Sequence, residues 1–140
     1  LESTMNVYKS ELTTTALSSI KVVPFIDDIS EAYKWADFVV CRSGALTISE
    51  LAHVGICSIL IPFPHATDDH QFENAKILER IGAAEIVLHH QFTPEFMAEK
   101  ITFYANNIEA RNSMSVKGKL IAEINSTERV SDECLGVAYG

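Results

Sequence analysis

The stretch FVVCRSGALTISELAHVG, residues 38–55, decides the fold. Phe38 to Cys41 is a short apolar run of the kind that forms a strand covered on both faces. Ser43, Gly44 and Ala45 are small enough to let a ligand approach the backbone, and Leu46 to Val54 reads as a helix. Gly55 stands where a helix C-terminal glycine belongs. A buried strand that runs through small residues straight into a helix is half of a βαβ unit, so further strands are expected on either side.

They are found at Ile20 to Pro24, Ser58 to Ile61 and Glu85 to Leu88, which gives four predicted strands. Helices are predicted at Thr4 to Leu17, at Asp28 to Trp35 behind an Asp27 or Asp28 N-cap, and at Gln71 to Ile81 with Gly82 beyond its end. Thr93 and Pro94 open another helix, to about Tyr104, with more helix at Arg111 to Ile124 and Glu128 to Leu135. Alternating elements of this kind specify an α/β, Rossmann-like parallel sheet with helices on both faces. Right-handed crossovers put the loops after each strand on one edge of the sheet, where ligands of such folds bind.

The 140 residues fit one domain, 1–140. Eleven basic residues against nineteen acidic ones give a net charge of −8, which repels phosphate backbones and excludes nucleic acid as a partner. An anion bound here has to be held locally, by backbone N–H groups or a helix N-terminus. The longest strongly apolar stretch, Gly55 to Phe63, is far short of the roughly 20 residues that span a bilayer. Three cysteines, Cys41, Cys57 and Cys134, fit neither a disulfide framework nor a zinc knuckle and read as reduced cytosolic thiols. No secretory signal opens the chain, and a start at Leu1 suggests that a segment upstream has been removed.

Three loops carry candidate chemistry. After Arg42, Ser43 and Gly44, the first-turn N–H groups of Ala45, Leu46 and Thr47 are placed to hold phosphate oxygens. Glu50, one turn after Leu46, can accept hydrogen bonds from two adjacent ribose hydroxyls, or it is a solvated residue after an ordinary strand-to-helix turn. In PFPHATDDHQ, residues 62–71, Gln71 offers one acceptor and two donors for sugar hydroxyls and an acetamido carbonyl. His65, Asp68, Asp69 and His70 lack metal-ligand spacing, and Asp68 or Asp69 serves more plainly as a helix N-cap, so neither metal nor cofactor is expected. In VVPFIDD, residues 22–28, backbone at Phe25 and Ile26 can pair with the edge of a base. His89 and His90 read as solvated loop, and Tyr33 and Trp35 as helix packing. Ser43 and Cys41 lack the elbow motif and partner base of a nucleophile.

Together, VVPFIDDISEAYKWADFVVCRSGALTISELAHVG, IPFPHATDDHQFENAKILERIGAA and STERV (Ser126 to Val130) resemble, in order and spacing, the C-terminal domain of the MurG family. Those bacterial transferases add N-acetylglucosamine from UDP-N-acetylglucosamine to lipid I, forming lipid II for peptidoglycan. The resemblance implies the C-terminal half of a two-domain GT-B fold, with the acceptor half and the opening glycine-rich strand-turn of this half both upstream of Leu1. It implies that the backbone of Ile26 meets uracil with Ile29 beside it, and that Ala45, Leu46 and Thr47 line the diphosphate. Glu50 would then bind ribose, and His70 and Gln71 the sugar. Arg42, Ser43 and Gly44 match the motif as further candidates. The family's general base belongs to the N-terminal half, so no catalytic residue is nominated in this chain. That half would also meet lipid I and attach the enzyme peripherally to the cytoplasmic face of the membrane. Some members have Gln-Gln where His70-Gln71 stands, and both types offer hydrogen bonds to hydroxyls. Two other functions share these features: the donor subunit of a two-part UDP-N-acetylglucosamine transferase, and a nucleotide-sugar-binding module without chemistry.

Overall fold

Three short parallel strands form the centre of the chain, in the order β1-β2-β3. They are β1 (Val39–Cys41), β2 (Ser58–Leu60) and β3 (Ala84–Ile86), in a computed structural model that describes residues 3, 6, 7, 10, 18–64 and 70–122. Val40 sits opposite Ile59, and Ile59 opposite Glu85. The helices are α1 (Ile29–Trp35), α2 (Ala45–Val54), α3 (His70–Arg80) and α4 (Pro94–Asn106), followed by helical residues 108–122, called α5. A single 3₁₀ turn, His89–Gln91, precedes α4. The chain divides into two units, Leu1–Ala32 and Tyr33–Gly140, and the sheet lies in the second.

Burial on both faces explains the apolar residues of β2, and its buried Ser58 satisfies its hydroxyl by donating to Ile56 O at 2.9 Å. Leu60 joins Ile48, Leu51 and Ala52 of α2 and Ala75 and Leu78 of α3 in one core cluster. Ile59 and Ile61 join Met97 and Tyr104 of α4 in the other, with Ala110 and Met114 of α5 packed against it. Helices therefore cover both faces of a parallel sheet, as the alternating sequence pattern predicts.

Local signals set the helix ends. Glu31 N–H donates to Asp28 Oδ1 at 3.0 Å, so Asp28 is the cap of α1. Thr93 Oγ1 accepts from Phe96 N–H at 3.3 Å, with Pro94 in the first turn of α4. Gly55 and Gly82 end α2 and α3 with φ of 67° and 69°. The Gly55 N–H returns to Leu51 O at 2.8 Å, closing the last turn of α2.

Two expectations are corrected. Residues 20–24 form no strand: Val23 and Phe25 are 40% and 75% exposed, and Pro24 has no N–H to give a ladder. An apolar run becomes a strand only where neighbours bury it, and this run lacks that burial. Trp35, read as helix packing, is 88% exposed at the end of α1, whereas Tyr33 is buried as expected. The helices at Thr4 to Leu17 and Glu128 to Leu135, and the Asp68 or Asp69 cap, fall largely or wholly outside the described residues.

Gly55→Ala should lower stability by about 1–2 kcal/mol, the cost of the left-handed region for a residue with a Cβ. That Cβ would also fall 2.9 Å from Ser115 O, against the Lys119 side chain. Urea denaturation measures the change, and an unaltered midpoint would show that the turn has another conformation.

Candidate functional site

At the carboxyl end of β1 the chain turns through Arg42, Ser43 and Gly44 into α2. Gly44 is the N-cap, in extended conformation, and no side chain caps the helix. The first turn contains no acidic residue, and the earliest intrahelical bond, Ile48 N–H to Gly44 O at 3.0 Å, leaves the preceding N–H groups of Ala45, Leu46 and Thr47 outside the helix ladder. Among the described residues, a Cβ added at Gly44 would meet only Thr47 Oγ1, at 3.7 Å. Three N–H groups outside the ladder and the positive end of a ten-residue helix therefore lie together at this turn.

This turn is tied to the next loop by buried polar contacts. Ser43, with no exposed surface, donates from Oγ to Gln71 O at 2.7 Å. Asn74 Nδ2 donates to Ser43 O at 3.3 Å, so the hydroxyl and the carbonyl of Ser43 are both engaged by α3. Gln71 Oε1 accepts from Phe63 N–H at 3.0 Å, which folds the start of the loop back onto α3. One lone pair of the Gln71 amide oxygen is thus used by the protein, which leaves the second lone pair and the two amide donors. Arg42 Nη1 donates to Ile61 O at 3.0 Å and Pro62 O at 3.2 Å, and its guanidinium lies 5.3 Å from the centre of the Phe63 ring. Arg42 and Ser43 accordingly hold the loop after β2 to the loop after β1.

Glu50 lies on α2, half-buried, and its Oε2 accepts from the Tyr33 hydroxyl at 3.3 Å. Burial, and then the charge of Glu50, push the Tyr33 hydroxyl up to about 12, so it remains a donor at neutral pH. Cys41 is pushed by burial up to about 11, which keeps it a thiol and agrees with its exclusion as a nucleophile.

In the second unit, Arg42 to Thr47, His70 and Gln71 lie on loops and helix starts at the carboxyl end of the sheet, and Glu50 lies further along α2. His70 opens α3 and is exposed. Ile26 and Ile29 belong to the first unit and are 46% and 38% exposed. His89 and His90 are exposed in the 3₁₀ turn, as expected, and border a depression of about 300 Å³ with Pro62, Phe63 and Phe72. A larger hollow, about 390 Å³, lies at the other end of the sheet beside Tyr33, Gly55, Arg111 and Lys119 and contains none of the residues assigned to ligand in the sequence. Sequence reasoning missed Tyr33 as a partner of Glu50, and missed Asn74. Asn74 sits one turn after Gln71 on the same helix face, a signal that could have found it. Tyr33 is 17 residues from Glu50 and has no local signal.

Residues 1–129 match the model of the glycosyltransferase family 28 C-terminal domain, and the chain belongs to that family. It is 47% identical over 120 residues to the UDP-N-acetylglucosamine--N-acetylmuramyl-(pentapeptide) pyrophosphoryl-undecaprenol N-acetylglucosamine transferase of Shewanella denitrificans, covering 86% of this chain and 33% of that protein. The protein of the same name from Marinobacter nauticus is 46% identical over 119 residues, covering 85% and 33%. The crystal structure of Acinetobacter baumannii MurG superposes with a TM-score of 0.67 at 37% identity, over 79% of this chain and 34% of that one. The chain thus spans about a third of the length of the curated relatives it matches.

Ser43→Ala should cost about 0.5–1.5 kcal/mol, the net contribution of one intramolecular hydrogen bond. Thermal or urea unfolding checks this, and wild-type stability in the variant would show that the two loops are held otherwise.

Proposed function

We propose that this chain is the donor-binding domain of a transferase that moves N-acetylglucosamine from UDP-N-acetylglucosamine to lipid I, forming lipid II. The observation that carries this reading is the uncapped start of α2, followed on the same helix by Glu50, in a chain 47% identical to a transferase named for this donor sugar. The N–H groups of Ala45, Leu46 and Thr47 take the diphosphate. Glu50 takes the ribose hydroxyls, and the Gln71 amide and His70 take the sugar. Uracil recognition falls to the backbone of Ile26, with Ile29 beside it.

Transfer leaves negative charge on the departing UDP. The α2 N-terminus, equivalent to about half a positive charge, is set to stabilise that charge as it develops, through dipoles fixed in advance. Phosphate is neutralised in this way without a metal ion. The proton of the acceptor hydroxyl needs a base within hydrogen-bond reach, and that base, with lipid I and the membrane's cytoplasmic face, is met by the N-terminal half of a two-domain enzyme. Among the described residues no helix is long and apolar enough to cross a membrane, which suits peripheral attachment through that half.

Transfer of labelled N-acetylglucosamine to lipid I by the complete two-domain protein, with chelator present, tests the proposal. Glu50→Ala should weaken donor binding by about 1.5–3 kcal/mol, seen as a KM for UDP-N-acetylglucosamine raised roughly tenfold or more. Absence of transfer, or an unchanged KM in the variant, would sink it.

A further inference from the structure

Tyr33 is 9% exposed and belongs to the core cluster formed by α2 and α3, yet its hydroxyl is committed to Glu50. A buried phenol needs a partner for its O–H, but the choice of partner is not neutral here. Glu50 Oε2 accepts the bond at 3.3 Å, on a helix whose start is the phosphate-facing turn. A glutamate has three rotatable side-chain bonds, and a hydrogen bond to a donor on a buried ring restricts that freedom. One oxygen faces Tyr33, and the other keeps its acceptor capacity for a ligand.

We propose that Tyr33 is a positioning residue for recognition of the nucleotide's ribose, orienting the Glu50 carboxylate before the ligand arrives. The inference rests on the assignment of Glu50 to ribose above. Tyr33 touches no substrate. Its hydroxyl fixes the rotamer of Glu50, so that the carboxylate meets the vicinal hydroxyls without first losing conformational freedom. The geometry also accounts for a tyrosine instead of a phenylalanine at a core position, since the ring fills the cluster and the hydroxyl alone reaches the carboxylate.

The test compares UDP with 2′-deoxy-UDP by calorimetry, on wild type, Tyr33→Phe, Glu50→Ala and the double variant of the complete protein. Wild type should prefer UDP, and Tyr33→Phe should reduce that preference about three- to tenfold, with a smaller loss of affinity for 2′-deoxy-UDP, which keeps the 3′-hydroxyl. In the Glu50→Ala background the same substitution should have no effect on the preference, because the residue it acts through is gone. A general loss of packing would weaken both nucleotides alike and leave the ratio unmoved, so an unmoved ratio overturns the proposal. If wild type does not distinguish the two nucleotides and Glu50→Ala binds UDP normally, the assignment of Glu50 fails, and this inference with it. If Glu50→Ala abolishes the preference but Tyr33→Phe preserves it, Glu50 stands and Tyr33 is only core. Should Tyr33→Phe prove unstable, Tyr33→Leu with a compensating stabiliser at a distant surface site gives the same ratio measurement.

Discussion

The hydroxyl of Ser43, wholly buried, donates to the carbonyl of Gln71, and that bond joins two loops that the chain separates by 28 residues. Asn74 closes the same junction from the other side by donating to Ser43 O. Ser43 Oγ is taken out of water and depends on the Gln71 carbonyl for its acceptor, so loss of that contact would leave a buried hydroxyl unpaired. The start of α2 and the start of α3 are thereby fixed as one surface. Arg42 extends this surface to Ile61 and Pro62, so the ends of β1 and β2 and the loop beyond are held in register.

What that surface can do follows from what it leaves unpaired. Strand-to-helix turns are common, and most are capped by a serine, threonine or aspartate side chain. Here Ser43 is turned inward to Gln71, and Gly44 occupies the cap with no side chain to give. Structural use of the serine therefore opens the first-turn N–H groups to a ligand. In the proposed donor site, a chain with net charge −8 would hold a diphosphate through backbone dipoles in one place and not through a basic field.

The sheet and most of its helices were legible because their signals are local: apolar runs at Val39–Cys41 and Ser58–Leu60, Gly55 and Gly82 after helices, and Thr93-Pro94 before α4. The predicted strand at residues 20–24 failed because propensity there is not matched by burial. Candidate residues of α2 were legible for the same local reason, as they follow a strand through small residues. The contacts that orient them were not: Tyr33 reaches Glu50 across 17 residues, and Asn74 reaches Ser43 across 31, distances at which periodicity carries no information. Gln71 was read as offering its full hydrogen-bonding set, and only the fold reveals that Phe63 uses one lone pair of the acceptor.

The central claim is that a nucleoside diphosphate sits on the open start of α2. Titration of the ¹⁵N-labelled protein with UDP, followed through backbone amide resonances, tests it most directly. The largest shifts should fall on Ala45, Leu46 and Thr47, with Glu50 and the first turn of α3 following, since N–H groups that bond phosphate oxygens change their shielding most. Shifts concentrated instead around Gly55, Arg111 and Lys119, at the opposite end of the sheet, or no shifts at millimolar UDP, would contradict it.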